Sequence, residues 1–219
     1  MNFINNMNNA LEEFNLLKHP FYQAWSQGDL SKDILKLYAQ QYYHHVATFP
    51  RYLSGIHSIC PNIKHRQILL DNLVDEEKGE ENHPELWLRF AESLGCNRIS
   101  VTESKMRAST KELVDGYFNL VKDGFSVALG ALYAYERQTP NIAQSKIDGL
   151  KKFYNIVDQE ALKFFTVHVT ADEWHADECA DILSELDHEE QDKASAGAVV
   201  GAKLLWNFLD DMQEMRSVV

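Results

Sequence analysis

Two histidines and an aspartate in the C-terminal part of the chain have the spacing of metal ligands. They occur in the order His168-x3-Asp172-x2-His175. A helix turns by about 100° per residue, so the three side chains would share one narrow face over two turns. Imidazole and carboxylate together suit iron, manganese or zinc. The same spacing also fits a hydrogen-bonded polar cluster, and the sequence alone leaves that alternative open.

A second group of ligand-type residues lies between Asp75 and His83. Glu76 and His83 are seven residues apart and would share a face of one helix. Glu80 and His83 are three apart, like the Glu-x-x-His motif of di-metal proteins built on helix bundles. Spacing does not choose between the two glutamates. The alternative is a solvated acidic run close to a helix break, because Pro84 follows directly.

Glu136 is the third candidate metal ligand in the sequence. The turns that precede it are apolar, so its carboxylate is expected to point towards the core. A buried carboxylate loses its charge, pairs with a base or binds a cation. An ion pair with the adjacent Arg137 is the simple alternative to a role as metal ligand.

Taken together, these residues could form a site for two metal ions. The set contains three carboxylates and three imidazoles, namely Glu76, His83, Glu136, His168, Asp172 and His175. Such a set fits two iron-like ions bridged by carboxylates, with coordination positions left for dioxygen. A hydrolytic two-metal site is also chemically possible. Scattered cysteines do not make a zinc finger, and imidazole is a poor ligand for calcium.

The elements that carry these residues are predicted to be helices. Apolar and aromatic residues recur every three or four positions along most of the chain, and no alternating run marks a strand. We therefore predict an all-α, single-domain fold over residues 1–219. About seven helices are expected, over 3–27, 31–58, 62–94, 105–122, 125–154, 158–185 and 194–216. Pro50, Pro84 and Pro140 fall inside these patterns and predict kinks.

Composition narrows the function classes. The 219 residues include 33 Asp and Glu against 21 Lys and Arg, for a net charge of −12. This acidity argues against binding to nucleic acid or to an anionic membrane, because both attract basic surfaces. Three cysteines, an odd number, predict no disulfide framework. No apolar run reaches the roughly 18–20 residues of a membrane span, and no secretory signal is visible, so a cytoplasmic protein is expected.

The order of these ligand-type residues on successive helices resembles the haem-oxygenase-like di-metal oxidases, whose fold has seven helices. More closely, the chain is similar to the family of the chlamydial protein associating with death domains and its bacterial relatives. The similarity selects Glu76 rather than Glu80 as the ligand of the second group. The matching segments extend over nearly the whole chain, at 19–25, 38–43, 49–57, 70–77, 82–83, 131–136 and 146–150.

The resemblance implies an unusual reaction. Members of this family are regarded as self-sacrificing synthases of 4-aminobenzoate, the aromatic unit of folate. They use a di-metal centre (Fe/Fe or Fe/Mn), dioxygen and an external reductant, and they cleave one of their own tyrosines. Carried onto this chain, the motif makes Tyr22 and Tyr38 the candidate ring sources, with Tyr22 favoured, Tyr135 a redox neighbour and Lys146 the amino donor. By residue type alone, Lys146 would be a surface lysine and Tyr42 an ordinary core residue.

Two other functions stay open from the sequence. A di-iron oxidase of an external small substrate would use the same six ligands without consuming Tyr22 or Lys146. A host protein that contains a death domain could instead be the partner of an interaction protein, as the family name records. The family also implies a homodimer and leaves secretion into a host open.

Overall fold

Eleven α-helices make up the part of the chain that the structure describes. The structure is a computed structural model, and it describes residues 3–218, except for the side chains of residues 170–173. Two short 3-10 turns, Glu12–Phe14 and Leu16–Lys18, join the first two helices. The helices are α1 Phe3–Leu11, α2 Pro20–Gln27, α3 Lys32–Ile59, α4 Ile63–Glu77, α5 His83–Ser93, α6 Arg98–Thr102, α7 Ala108–Lys122, α8 Phe125–Glu136, α9 Thr139–Phe153, α10 Gln159–Ser184 and α11 His188–Met215.

The helical class is as predicted, but three of the seven predicted helices are divided. The helix predicted over 3–27 is divided into α1 and α2. The one predicted over 62–94 is divided into α4 and α5, and the one over 125–154 into α8 and α9. Pro84 and Pro140 do not kink a helix as predicted, because each lies in the first turn of a new one. That position suits proline, since the first-turn amides have no partner within the helix. Pro50 alone of the three remains inside a helix, α3.

The break between α4 and α5 has a local cause. Gly79 has a φ of +86°, a left-handed conformation that glycine adopts readily. Asn82 then caps α5, because its side chain accepts a hydrogen bond from the amide of Glu85. Glu76 and His83 therefore lie on two helices on either side of a turn, whereas the sequence predicted that they share one helical face.

The long helix α3 forms the centre of the molecule, packing against α4, α5 and α7, while α10 packs against α5, α8 and α9. The largest completely buried side chains are aromatic, and they include Trp25, Trp87, Tyr38, Tyr52, Phe21, Phe90, Phe165 and Phe208. No helix in the described part of the chain combines the length and apolar character needed to cross a bilayer.

Helices α8 and α11 approach each other through glycine. A Cβ atom added to Gly130 would lie 2.0 Å from the carbonyl oxygen of Ala194. A Cβ atom added to Gly197 would lie 2.1 Å from the carbonyl oxygen of Val127. Both contacts involve backbone, which cannot move aside as a side chain can. This packing holds the helix that ends in Tyr135 and Glu136.

Replacement of Gly197 tests this close approach. Helix propensity alone would make Gly197→Ala stabilising by about 1 kcal/mol. We expect the opposite, a free energy of unfolding lower by about 1–3 kcal/mol, because the added methyl group collides with the Val127 carbonyl. Urea unfolding followed by circular dichroism measures the change. Ala196→Gly, on the exposed side of the same helix, measures the local propensity. An equal or higher stability of Gly197→Ala would show that the helices can separate freely.

Candidate metal and tyrosine site

Three of the predicted metal ligands come together in the core. Glu76 lies at the end of α4, His83 at the start of α5 and His168 in α10. One ligand atom from each residue lies within 4.8 Å of the other two, and all three side chains are buried. The sequence pattern predicted the residue types, and the helix break between residues 77 and 83 brings the first two side by side.

The histidines in this group are oriented with ring nitrogens towards the carboxylate. Nδ1 of His168 is 2.5 Å from the carbonyl oxygen of Phe164, one turn earlier in α10. A carbonyl only accepts, so Nδ1 carries the hydrogen and Nε2 keeps a lone pair for a metal ion. Nδ1 of His83 lies 2.7 Å from Oε2 of Glu76 but without hydrogen-bond geometry. The donor set therefore fits a transition-metal ion.

Electrostatics supports an ionised Glu76. Burial is the largest single effect and raises the pKa of Glu76. The proximity of His83, with smaller effects from His168 and His175, together outweighs burial, so the pKa lies below the ordinary value. A carboxylate that keeps its charge in a buried site is available as an anionic ligand.

Glu136 is buried, as predicted, at the end of α8. The amide nitrogen of Asn72 donates to Oε1 at 2.6 Å, and the thiol of Cys179 donates to Oε2 at 3.3 Å. These two donors, and not Arg137, hold the carboxylate. Burial raises its pKa to about 8, and the nearby charge of Glu76 acts in the same direction. The repulsion between the two carboxylates would be relieved by a cation.

The structure does not place the remaining two predicted ligands in the three-residue group. His175 is buried in α10, and its Nε2 lies 3.3 Å from Oδ2 of Asp75. Its ligand atoms are not part of the three-residue group that the described residues form. The side chain of Asp172 lies outside the described residues. The roles of His175 and Asp172 therefore stay predictions.

A second cluster joins the predicted tyrosines to the predicted lysine. The hydroxyls of Tyr22, in α2, and Tyr38, in α3, are 2.9 Å apart. Nζ of Lys146, in α9, donates to the Tyr38 hydroxyl at 2.8 Å. Lys146 is only 6% exposed, so the interpretation of this residue as a surface lysine is wrong. Helix α9, distant in sequence from α2 and α3, thus brings the amine to the two phenols.

Aromatic rings surround the amine. Nζ of Lys146 lies within 6 Å of five ring centres, those of Tyr22, Trp25, Tyr38, Tyr42 and Phe165. The Tyr22 ring is the closest, at 4.6 Å. Burial lowers the pKa of Lys146 to about 7. A large fraction of the amine is therefore uncharged at neutral pH, which is the form that acts as a nucleophile.

One small cavity connects the two clusters. It encloses about 30 Å³, which is room for about two water-sized molecules. The polar residues in its wall are Tyr22, Tyr42, Tyr135, Thr139, Lys146 and His168. A molecule the size of dioxygen in this cavity would contact a candidate metal ligand, the amine and a candidate ring source together.

Sequence reasoning missed Tyr42. Its hydroxyl is 3.2 Å from that of Tyr135, and its ring stacks on that of Tyr38 with centres 5.3 Å apart. Tyr38 and Tyr42 are four residues apart in one helix, so their spacing was a usable signal. Asn72 and Cys179, which hold Glu136, were missed as well. Each lies four residues from a predicted ligand on its own helix, Asn72 before Glu76 and Cys179 after His175.

Comparisons with known proteins identify the family of the chain. A family described as iron-containing redox enzymes matches residues 36–206. The 4-aminobenzoate synthase of Nitrosomonas europaea is 39% identical over 97% of this chain and 91% of its own length. The protein of that name from Chlamydia muridarum is 36% identical over 98% of this chain and 91% of its own.

The fold has solved counterparts. The crystal structure of a TenA homologue from Pseudomonas syringae covers 97% of this chain and 93% of its own, with a TM-score of 0.83 at 16% identity. That similarity shows a shared fold and nothing further. The predicted haem-oxygenase-like fold and the predicted family are both confirmed. The chain belongs to the haem-oxygenase-like family of iron-containing redox enzymes, alongside proteins named 4-aminobenzoate synthase, and is an oxidoreductase.

Proposed function

We propose that this protein forms 4-aminobenzoate from the ring of its own Tyr22, with Lys146 as the amino donor. Dioxygen is the oxidant, an external reductant supplies electrons, and the product serves folate synthesis. The observation that carries the proposal is the position of the Lys146 amine. It is buried among aromatic rings, bonded to the Tyr38 hydroxyl, and faces the same cavity as His168.

Two metal ions, Fe/Fe or Fe/Mn, complete the site in this proposal. They would be held by Glu76, His83, Glu136, His168, Asp172 and His175. The converging atoms of Glu76, His83 and His168, and the buried carboxylate of Glu136, support this assignment. Iron bound there would supply one-electron redox chemistry with dioxygen. The protein's own part is to orient these ligands and to exclude water from the phenols.

The side chain of Tyr22 already contains most of the product. A tyrosine ring carries Cβ and the hydroxyl in para positions, where 4-aminobenzoate has its carboxyl and amino groups. Forming the product requires that the Cα–Cβ bond breaks, that Cβ is oxidised to a carboxylate and that nitrogen replaces the hydroxyl. Nζ of Lys146 lies 4.6 Å from the Tyr22 ring centre. Its bond to Cε must also break to release the amine.

Tyr22 is preferred over Tyr38 because of its access to the cavity. Tyr22 forms part of the cavity wall, where dioxygen would reach it. Tyr38 is completely buried, although its hydroxyl receives the hydrogen bond from Lys146. In this arrangement Tyr38 holds the amine and the Tyr22 hydroxyl in position. Tyr38 becomes the ring source if the experiment below assigns the label to it.

The size of the cavity supports a ring from the protein itself. About 30 Å³ is too little for an aromatic amino acid, so an external aromatic substrate would have to displace the buried side chains. The relatives named 4-aminobenzoate synthase support the same reaction class. A cytoplasmic location, a homodimer and a host death-domain partner remain predictions.

Isotope labelling tests the self-sacrifice. Protein made with ring-labelled tyrosine, loaded with iron or manganese and given reductant and dioxygen, is expected to release labelled 4-aminobenzoate. The yield should not exceed one molecule per chain. Mass spectrometry identifies the product and the residue lost from the protein. Tyr22→Phe should abolish product while retaining metal, whereas Tyr133→Phe, which removes a hydroxyl bonded to Asn8, should not. Unlabelled product from an added substrate would contradict the proposal.

Metal binding tests the ligand set. We expect His168→Ala to lose bound metal, because the Phe164 contact occupies Nδ1 and leaves the lone pair of Nε2 for an ion, and a ligand atom of His168 lies within 4.8 Å of those of Glu76 and His83. His175→Ala should lose metal too. Inductively coupled plasma mass spectrometry of the purified proteins gives the number of metal ions per chain. The control is His65→Ala, whose ring pairs with the exposed Glu185. Two ions per chain in His175→Ala would remove that residue from the ligand set.

Stability against pH tests the buried amine. The pKa of Lys146 falls from 10.5 to about 7 on folding, so between these values only the unfolded chain carries the proton. The stability of the wild type therefore rises with pH across this window. Lys146→Met should be more stable by at least about 1 kcal/mol near pH 7, with a gap that narrows towards pH 10. Urea unfolding at several pH values measures it.

Lys152→Met is the matched control, because Lys152 is an exposed lysine on the same helix. Its stability should follow that of the wild type at every pH. A gap between Lys146→Met and the wild type that does not change with pH would show that Lys146 keeps an ordinary pKa in the folded protein.

A further inference from the structure

We infer that Tyr42 relays oxidation between Tyr135, beside the metal ligands, and Tyr38, beside the amine. This inference rests on the proposed function, because it supplies the route by which dioxygen would oxidise the buried phenols. By residue type Tyr42 was assigned to the core. Its contacts give it a different position, between the two halves of the site.

On one side, the hydroxyl of Tyr42 is hydrogen-bonded to that of Tyr135. The two hydroxyl oxygens are 3.2 Å apart, and both side chains line the cavity that reaches His168. Tyr135 directly precedes Glu136 in α8. Tyr135 is therefore an oxidisable phenol that adjoins one candidate ligand in the chain and shares the cavity wall with another.

On the other side, Tyr42 is stacked on Tyr38. The ring centres are 5.3 Å apart and the planes are inclined by only 14°. Tyr38 in turn bonds to the hydroxyl of Tyr22 and accepts the hydrogen bond from Lys146. A continuous series of phenols therefore runs from Tyr135 through Tyr42 and Tyr38 to Tyr22.

The other buried tyrosines in the described part of the chain have different contacts. Tyr52 and Tyr117 stack on each other, with ring centres 5.2 Å apart, on the far side of His45. The hydroxyl of Tyr52 donates to the carbonyl of Val114. Tyr133 bonds to a side chain of α1. Among the described contacts, Tyr42 joins Tyr135 to Tyr38.

The first transfer moves a hydrogen atom along the hydrogen bond between Tyr42 and Tyr135. The oxidant, formed from dioxygen and electrons of the external reductant, takes one electron and one proton from Tyr135, which leaves a neutral tyrosyl radical. The O–H hydrogen of Tyr42 then moves to the Tyr135 oxygen with its electron, so Tyr135 is restored and Tyr42 becomes the radical. No charge is created in the core, where an isolated charge would be strongly unfavourable.

The second transfer passes between the stacked rings. An electron goes from Tyr38 to Tyr42, and the Tyr38 proton goes to the Lys146 nitrogen, which lies 2.8 Å from that oxygen and can accept a proton when the amine is uncharged. Tyr42 is left as a phenolate, which the restored Tyr135 hydroxyl can hydrogen-bond, and the new Lys146 ammonium lies 5.3 Å from the Tyr42 ring centre, so the two charges attract each other. The radical has moved from Tyr42 to Tyr38. The radical then lies next to Tyr22.

Tyr42→Phe tests the relay. The variant keeps the stacked ring and removes the oxidisable hydroxyl. We expect it to bind metal like the wild type, to form a longer-lived Tyr135 radical with dioxygen, and to release at least tenfold less 4-aminobenzoate. Freeze-quenched electron paramagnetic resonance follows the radical. The control is Tyr52→Phe, a buried tyrosine of the same helix whose product yield should stay within twofold of the wild type. A Tyr42→Phe yield within twofold of the wild type would overturn the relay.

A radical trap separates this inference from the proposed function. 3-Aminotyrosine at position 42 is easier to oxidise than tyrosine, so a radical that passes through should stop there as an aminotyrosyl signal. That signal without any 4-aminobenzoate from the wild type would support the relay and contradict the proposed product. Wild-type product without any aminotyrosyl signal at position 42 would support the proposed function and overturn the relay.

Discussion

A lysine amine buried among aromatic rings is the constraint on which the arrangement of the core depends. An ammonium group removed from water is unfavourable unless a partner compensates it. Here ring faces and a phenol oxygen surround the amine without compensating its charge fully, and burial lowers the pKa of Lys146 to about 7. The surrounding helices must therefore present tyrosines and a tryptophan at one point. Gly149 allows this on α9, because a Cβ there would lie 2.8 Å from the indole of Trp25.

The metal half of the site depends on helix ends. Glu76 is near the last turn of α4, His83 opens α5 and Glu136 closes α8. A turn between two helices lets neighbouring ligands approach from different directions, which a single straight helix cannot do. Hydrogen bonds from Asn72 and Cys179 then hold the carboxylate of Glu136. Residues outside the ligand set thus determine how the ligands are presented.

The two halves share one small cavity, and this explains why phenols, amine and ligands have to be considered together. His168 and Lys146 line the same space, although one lies in α10 and the other in α9. Close packing of α8 on α11 at Gly130 and Gly197 fixes the helix that carries Tyr135. Dense packing leaves the cavity room for small molecules such as dioxygen but not for an aromatic amino acid.

The sequence by itself determined the helical class, because helical periodicity is a local property of the chain, and the resemblance of its segments gave the family. It placed Glu136 in the core correctly, since the turns before it are apolar. Only the tertiary structure decided that Lys146 is buried, that Tyr42 joins two clusters and that Glu76 faces His83 across a turn. These outcomes depend on contacts between helices far apart in sequence, and no local pattern specifies which side chains meet there.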